Sequence, residues 1–347
     1  IENIKNSNLI LNLESDLLNI NKLLKDAYDN YNSVVSFQDD EIKKKIDLLN
    51  YYLLESVRYS DYINSNLNTI LDILWHNKEK KYLVVLQNTD EIRPTGWFMW
   101  SMWILSIFRW KVKSFEMQDV YAIEWKIKDS QYSPQIPPEW INRITPEFLL
   151  RDANYFLDIK DSSNKINEFI KEAWYSIDWI IYLNQNTILD ALKISWWIKL
   201  DDIEKEINYE DFSWYISTLV ESKVSKVWTL WTPKQILFDF AEKFKQKVLS
   251  DKNYADYLKI IFENIKSRDI VFYSFDEKEN DLIKYFDLWW VIDFNQSLDF
   301  TYPVFTSISW NKSDRYVKRK FLKDVKIKVP VIQNEFQINV EEHRENV

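Results

Sequence analysis

A chain with almost no glycine has almost no easy way to turn. Left-handed backbone at helix ends and in tight hairpins belongs to glycine, because a Cβ is crowded there. At the usual abundance of about 7 %, a chain of this length would hold roughly 24 glycines. The 347 residues include 1 Gly, at Gly96, and 17 Trp. The tryptophans stand where turns are expected. Arg109-Trp110-Lys111 separates two strand-like runs, and Ser195-Trp196-Trp197 separates a helical run from an extended one. Leu288-Trp289-Trp290, Ser309-Trp310-Asn311 and the stretch from Trp228 to Pro233 are bordered by turn-forming residues. Two explanations are open. Some bacterial lineages read UGA as glycine, and a translation that reads it as tryptophan would write this sequence. Alternatively the chain is truly tryptophan-rich, as in a carbohydrate binder with aromatic platforms. The positions favour recoding, with most Trp standing for glycine in the living protein.

The rest of the composition narrows the class. Collagen-like, glycine-rich and disulfide-stapled chains are excluded. A hydrophobic content of 46 % is too high for wholesale disorder. A net charge of −9 argues against a general nucleic-acid binder. No stretch is long and apolar enough to cross a bilayer, which takes about 20 residues. The absence of Cys suits both an extracytoplasmic and a cytosolic protein. The chain begins at Ile1, and the expectation is a fragment whose signal or anchor segment lies upstream.

Three regions follow from the patterning. Residues 1–78 read as a helical hairpin or stalk. Leu13, Leu17, Leu24 and Ile42, Ile46, Leu49, Leu53 recur at helical spacing, with a break near Ser36 to Asp40. A plain hairpin packed on the next domain is as good a reading as a stalk. Residues 79–313 alternate between short apolar runs and amphipathic helices, the signature of an α/β core. Expected strands are Tyr82–Leu86, Phe98–Phe108, Val112–Val120, Ile177–Leu183 and Ile270–Ser274. Expected helices are Ser163–Ala173, Asn186–Leu192, Tyr209–Ser222, Pro233–Leu249, Tyr254–Lys266 and Glu277–Phe286. Residues 314–347 alternate strictly and read as a β segment, either the start of a β-sandwich or edge strands of the core.

Most familiar chemistry is absent. His76 and His343 are the two histidines, and with no Cys a zinc site of the usual kind is nearly excluded. Neither histidine sits in a triad motif, and no phosphate-loop or dinucleotide fingerprint appears even with Gly written for Trp. The acidic stretch from Asp201 to Asp211 reads as a solvated surface. The informative segment is Gln87 to Phe98, a polar loop expected directly after a buried strand, where α/β sheets carry their ligands. Asn88, Glu91, Arg93 and Thr95 give it donors, acceptors and charge. Gln118-Asp119 and Arg151-Asp152-Ala153-Asn154 are its expected companions. Arginine suits bidentate phosphate binding, and Asp119 or Asp152 suits a base or a Mg²⁺ ligand. The plain structural alternative is that Arg93 pairs with Asp119 or Asp152 and only ties loops together.

At these residues the sequence resembles a known bacterial family. The blocks LVVLQNTDEIRPTGWFMWSMWILSIFRW, FLLRDANYF, WYSIDWIIYLNQNTILDALKISWWIKL and SWNKSDRYVKR resemble domain of unknown function 4012 over about Asp72 to Arg319. Trp97, Trp100, Trp103, Trp110 and Trp179 fall where that family has glycine, and its members carry a membrane anchor before a helical region. A more distant similarity is to the LytR–CpsA–Psr phosphotransferases, which attach lipid-linked glycans to the cell wall. Arg93, Gln118-Asp119, Asn154, Ile177-Asp178 and Leu189 to Trp197 follow that family's order of elements. Gln118 departs from it, since an arginine is expected there.

The resemblance implies a three-layer LytR–CpsA–Psr-like α/β core with a mixed sheet, an N-terminal helical hairpin and a C-terminal β segment. It implies an extracytoplasmic, membrane-anchored cell-envelope protein handling a polyprenyl-phosphate-linked glycan. Arg93, Asp119, Arg151 and Asp152 would be catalytic, with Mg²⁺ on Asp119. Asn88, Glu91, Thr95, Gln118 and Asn154 would bind ligand. An enzyme requires Arg93, Asp119 and Arg151 to converge on one pocket beside an apolar channel. The rival expectation is a non-catalytic envelope module that binds glycan or protein through an open groove.

Overall fold

The computed structural model describes residues 7–32, 40–109, 111–130, 135–139, 141–143, 145–195, 197–200, 205–212, 233–251, 253–288, 290–292, 303–307, 314, 317–320, 323–327 and 336–340. The chain forms two compact units. One comprises Ile1–Tyr82, Ile104–Glu116 and Ser274–Trp289, and the other Leu83–Trp103, Met117–Tyr273 and Trp290–Val347.

The first unit begins with helices α1 (Ser7–Asn32), α2 (Asp40–Ser65) and α3 (Leu67–Ile73). Asn21 donates to Asp61 at 2.8 Å, and Asn64 reaches the Leu17 carbonyl at 3.5 Å. Going forward along α1 from Leu17 to Asn21 goes back along α2 from Asn64 to Asp61, so the pair is antiparallel. Of the expected break near Ser36 to Asp40, all but Asp40 lies outside the described residues, and Asp40 begins α2. Leu23, Leu48, Leu49 and Tyr52 lie exposed on these helices. Tyr62 stacks on Tyr285 of α9 (Glu277–Tyr285), tying the hairpin to that helix. Beneath them Lys80 and Glu279 form a fully buried ion pair, with the Ser274 hydroxyl donating to the same carboxylate. Breaking such a pair by removing one partner strands a buried charge.

Strands β1 (Lys80–Arg93), β2 (Gly96–Phe108), β3 (Lys111–Asp119), β4 (Trp179–Asn184) and β7 (Ile270–Ser274) form one sheet in the order β3-β2-β1-β4-β7. Central position explains why β1 is buried along nearly its whole length. Short connections join β1, β2 and β3 as successive hairpins. The chain then crosses through α4 (Val120–Asp129) and α5 (Ile159–Glu172) to β4 on the other side of β1. Helix α5 starts where the Asp158 carboxylate accepts the Lys160 N–H at 2.7 Å. Its Ile159, Ile166, Phe169 and Ile170 are buried, as are Leu83, Val85, Met99, Ile123 and Leu150. Each such side chain contributes roughly 1.5–3 kcal/mol by leaving water.

After β4 come α6 (Gln185–Ser195), the antiparallel pair β5 (Ile198–Leu200) and β6 (Lys205–Ile207), α7 (Pro233–Ser250) and α8 (Tyr254–Ser267). Leu192, Ile198, Ile207, Phe212 and Phe240 form a second core cluster there. The α/β class is therefore as expected, and most expected helices and strands are present to within a few residues. Most of the helix expected over Tyr209–Ser222 lies outside the described residues. The C-terminal strands β8 (Lys323–Ile327) and β9 (Phe336–Val340) pair antiparallel with each other in a sheet of their own.

Two expectations need correction. The segment from Gln87 is not a loop, since β1 runs on to Arg93 and the turn is confined to Pro94-Thr95. Its polar groups are compatible with a strand because they find partners, as where the Asn88 side chain accepts the Asp90 N–H at 3.1 Å. No helix was expected directly after the strand ending at Val120, and Val120–Asp129 is helix α4. The local signal is Asp119 itself, whose carboxylate accepts the Tyr121 N–H at 3.0 Å as an N-cap.

Candidate functional site

The central strand delivers Arg93 to the end of β1, and the next two residues reverse the chain. Gly96 has a φ of +119°, which strains any side chain. A Cβ there would also lie 2.9 Å from the Gln87 carboxamide. Thr95 and Asn154 then lock this hairpin to the 3₁₀ segment Leu150–Tyr155. The Thr95 hydroxyl donates to the Asn154 carbonyl at 2.9 Å, and Asn154 Nδ2 donates to the Trp97 carbonyl at 2.8 Å. Asn154 is fully buried, and its Oδ1 has no hydrogen-bond partner among the described residues.

That lock brings Arg93, Arg151 and Asp152 to one cavity of about 600 Å³. Its other walls are mostly apolar, formed by Pro94, Ile141, Leu149, Phe156, Leu157 and Val304 among others. Arg93 Nη1 donates to the carbonyls of Ile92 and Ser307, both at 3.1 Å, and Nη2 stands 3.7 Å from Glu91. Its guanidinium also lies 5.1 Å from the centre of the Phe98 ring. Burial lowers the Arg93 pKa, against the opposing charges of Glu91, Asp152 and Asp314. Arg151 is held more tightly. Its backbone N–H, Nε and Nη2 all donate to the Glu124 carboxylate, and its guanidinium covers the Tyr121 ring at 4.3 Å. Burial pulls the Arg151 pKa down, and the Glu124 hydrogen bond and charge outweigh it to leave a net rise.

Asp152 is the perturbed acid of the cavity. Burial pushes its carboxyl up to about 6, opposed by Arg93 and Arg151 and aided by Glu124. A carboxylate with that pKa is ionised at neutral pH yet takes a proton more readily than an exposed one, as a general base requires.

The remaining expected residues are placed elsewhere. Asp119 caps α4 and is not among the residues lining the cavity. Asn88 is buried in β1, where its Oδ1 also lies 3.4 Å from Gln185 Nε2. Glu91 is buried beside Arg93, and Gln118 is half-buried near the end of β3. Thr95 and Asn154 fasten the scaffold. Sequence reasoning missed Glu124, the buried residue that aims Arg151. The signal for it was the cap at Asp119, since a helix starting there carries Glu124 on its buried face.

Among the described residues no group of three or more His, Cys, Asp or Glu gathers to hold a metal ion. An all-protein Mg²⁺ cage therefore does not fit these residues. Mg²⁺ commonly takes only one or two carboxylates and completes its shell with phosphate and water.

No family model matches the sequence, and no curated protein is recognisably similar to it. Solved structures that align with it include Bacillus subtilis TagV, at 8 % identity and a TM-score of 0.35, over 76 % of this chain and 91 % of that one. The transcriptional regulator yvhJ of Bacillus subtilis aligns at 10 % identity and a TM-score of 0.34, over 76 % of this chain and 90 % of that one. A Listeria innocua protein aligns at 9 % identity and a TM-score of 0.34, over 61 % of this chain and 79 % of that one. Likeness at this level carries no functional weight, and the site stands on its own geometry.

Proposed function

We propose that the protein is an extracytoplasmic cell-envelope protein that binds a glycan linked to a polyprenyl chain through a diphosphate and transfers its phosphoglycosyl group. The observation that supports this is the composition of one cavity, whose mostly apolar lining also includes Arg93, Arg151 and Asp152. Apolar walls suit an isoprenoid chain, and two guanidiniums suit its phosphates. In the reaction an acceptor hydroxyl attacks the sugar-side phosphorus. Asp152 takes the hydroxyl proton, and polyprenyl phosphate leaves. Mg²⁺, when bound with the ligand phosphates, would supply charge neutralisation there. Membrane attachment belongs to the same reading, through an anchor upstream. Among the described residues no helix is long and apolar enough to cross a membrane.

One observation favours a second reading, a glycan-binding module without turnover. Arg151 is engaged by buried Glu124 through Nε and Nη2, and Arg93 has Glu91 beside it, so part of their charge is already answered. Incubation with a polyprenyl diphosphate glycan and Mg²⁺ separates the two. The first reading expects release of polyprenyl phosphate, slowed at least about 100-fold by Asp152→Asn, in the range of general-base contributions. Binding without release supports the second.

We further propose that most tryptophans stand for glycine. Support comes from the helix ends. Trp75 and Trp174 have φ of 63° and 68°, the left-handed region. Trp174 N–H donates to the Lys171 carbonyl and Tyr175 N–H to the Ile170 carbonyl, at 2.9 and 3.0 Å. Trp75 and His76 make the same two bonds to Asp72 and Leu71, at 3.0 and 2.8 Å. This is the helix ending in which glycine is the usual residue. Trp174 gains little packing there, since it is 86 % exposed. The buried Nε1 atoms of Trp100 and Trp290 have no acceptor among the described residues, an unusual state for an indole. Trp125 within α4 and Trp179 within β4 show no such left-handed backbone. Trp174→Gly is expected to stabilise the protein by roughly 1 kcal/mol in denaturant titration. The native codon at position 174 decides the origin: UGA supports recoding and UGG excludes it.

A further inference from the structure

A second cavity of about 540 Å³ lies against the first. Arg93, Pro94, Leu157 and Val304 line both, so the turn after β1 stands between them. Its chemistry is different. Gln87, Thr95, Asn184, Asn186, Ser267, Arg268 and Asp269 bring carboxamides, hydroxyls and two charges to its walls. The network is organised around one carboxylate. Asn184 Nδ2 and Asn186 Nδ2 both donate to Asp269 Oδ1, the latter at 2.9 Å, and the Ser267 hydroxyl donates to Oδ2.

Arg268 stands at the edge of this network. It is the first residue past α8 and has a φ of 66°. Asp269 N–H reaches the Asn264 carbonyl at 2.8 Å, completing the same helix ending seen at Trp174. A long side chain there costs stability that glycine would not. The guanidinium lies 4.2 Å from the Trp290 ring centre, and among the described residues it makes no side-chain hydrogen bond or ion pair. Its five donors therefore remain for a ligand.

We propose that the second cavity is a saccharide subsite, in which Asp269, Asn186 and Arg268 hydrogen-bond the hydroxyl and acetamido groups of the sugar next to the phosphate. This rests on the phosphoglycan reading of the first cavity and extends it. The isoprenoid chain takes the apolar cavity, the sugar takes the polar one, and the phosphates fall at Arg93 on their shared wall. Position 290 carries no part of the recognition, because it is a tryptophan for which glycine is proposed.

The test compares two probes on the full chain, geranylgeranyl diphosphate and its N-acetylglucosamine-linked form. The sugar is expected to tighten binding about tenfold, an increment that a few hydrogen bonds to charged groups supply. Asp269→Ala and Arg268→Gly are expected to erase that increment and leave the sugar-free probe unchanged. Arg268→Gly guards against misfolding, because glycine suits that backbone and should raise the denaturation midpoint. Equal binding of both probes to the wild type overturns the subsite while leaving the lipid-phosphate reading intact. An increment that survives both variants overturns it as well. If neither probe binds, the first-cavity reading fails, and free N,N′-diacetylchitobiose decides the subsite by ligand-observed NMR. Transfer to this sugar that is lost in Arg268→Gly supports the subsite, and no transfer overturns it.

Discussion

Asp152 faces opposing influences: burial raises its pKa, while Arg93 and Arg151 hold it down, and it settles at about 6. In the unfolded chain the same group titrates near the ordinary value of about 3.9. The folded state therefore holds the proton more tightly, so ionisation costs stability. The native contribution is intact below about pH 4 and is lost as pH rises through about 6. Asp152→Asn removes this dependence. Denaturant titration should show the variant gaining on the wild type between pH 4 and pH 7, by up to about 3 kcal/mol. A constant difference across that range would mean that the carboxyl is not buried as described. Arg93, Arg151 and Asp152 were legible in the sequence as a cation pair with an acid, because those residue types suit phosphate. Their partners were not, since Glu91 and Glu124 acquire meaning only once the backbone places them.

At the scale of elements, Asp119 has a structural role that its place at a strand end did not announce. An acid at a strand end suggested a metal ligand, and its carboxylate caps α4. Asp119→Ala should cost about 1 kcal/mol of stability, read from the shift in denaturation midpoint, and Asp119→Ser should restore most of it. A metal ligand would not tolerate serine so readily. Helix α4 was hidden because Val120, its first residue, read as the end of the preceding strand. Likewise β1 outruns its apolar stretch, because Asn88 and Glu91 are polar yet buried and partnered. Periodicity predicts elements that have one wet face. It fails where polar side chains are satisfied inside. The helices α5, α8 and α9 keep a solvent face and were therefore plain in the sequence.

At the scale of the molecule, the sheet order explains why one short turn matters. Because β1 is central and long, its end at Arg93 meets the 3₁₀ segment carrying Arg151 and Asp152. Thr95 and Asn154 fix that meeting through 2.9 and 2.8 Å bonds. The result is a cavity whose lining joins apolar side chains to two guanidiniums and a carboxyl, the feature from which the functional reading follows. The most direct measurement is equilibrium binding of a fluorescent polyprenyl diphosphate to the wild type and to Arg93→Ala. We predict saturable binding to one site, weakened at least about tenfold by the substitution, as expected for loss of a charge-assisted phosphate contact. Equal affinity for the two proteins, or no binding to either, would contradict it.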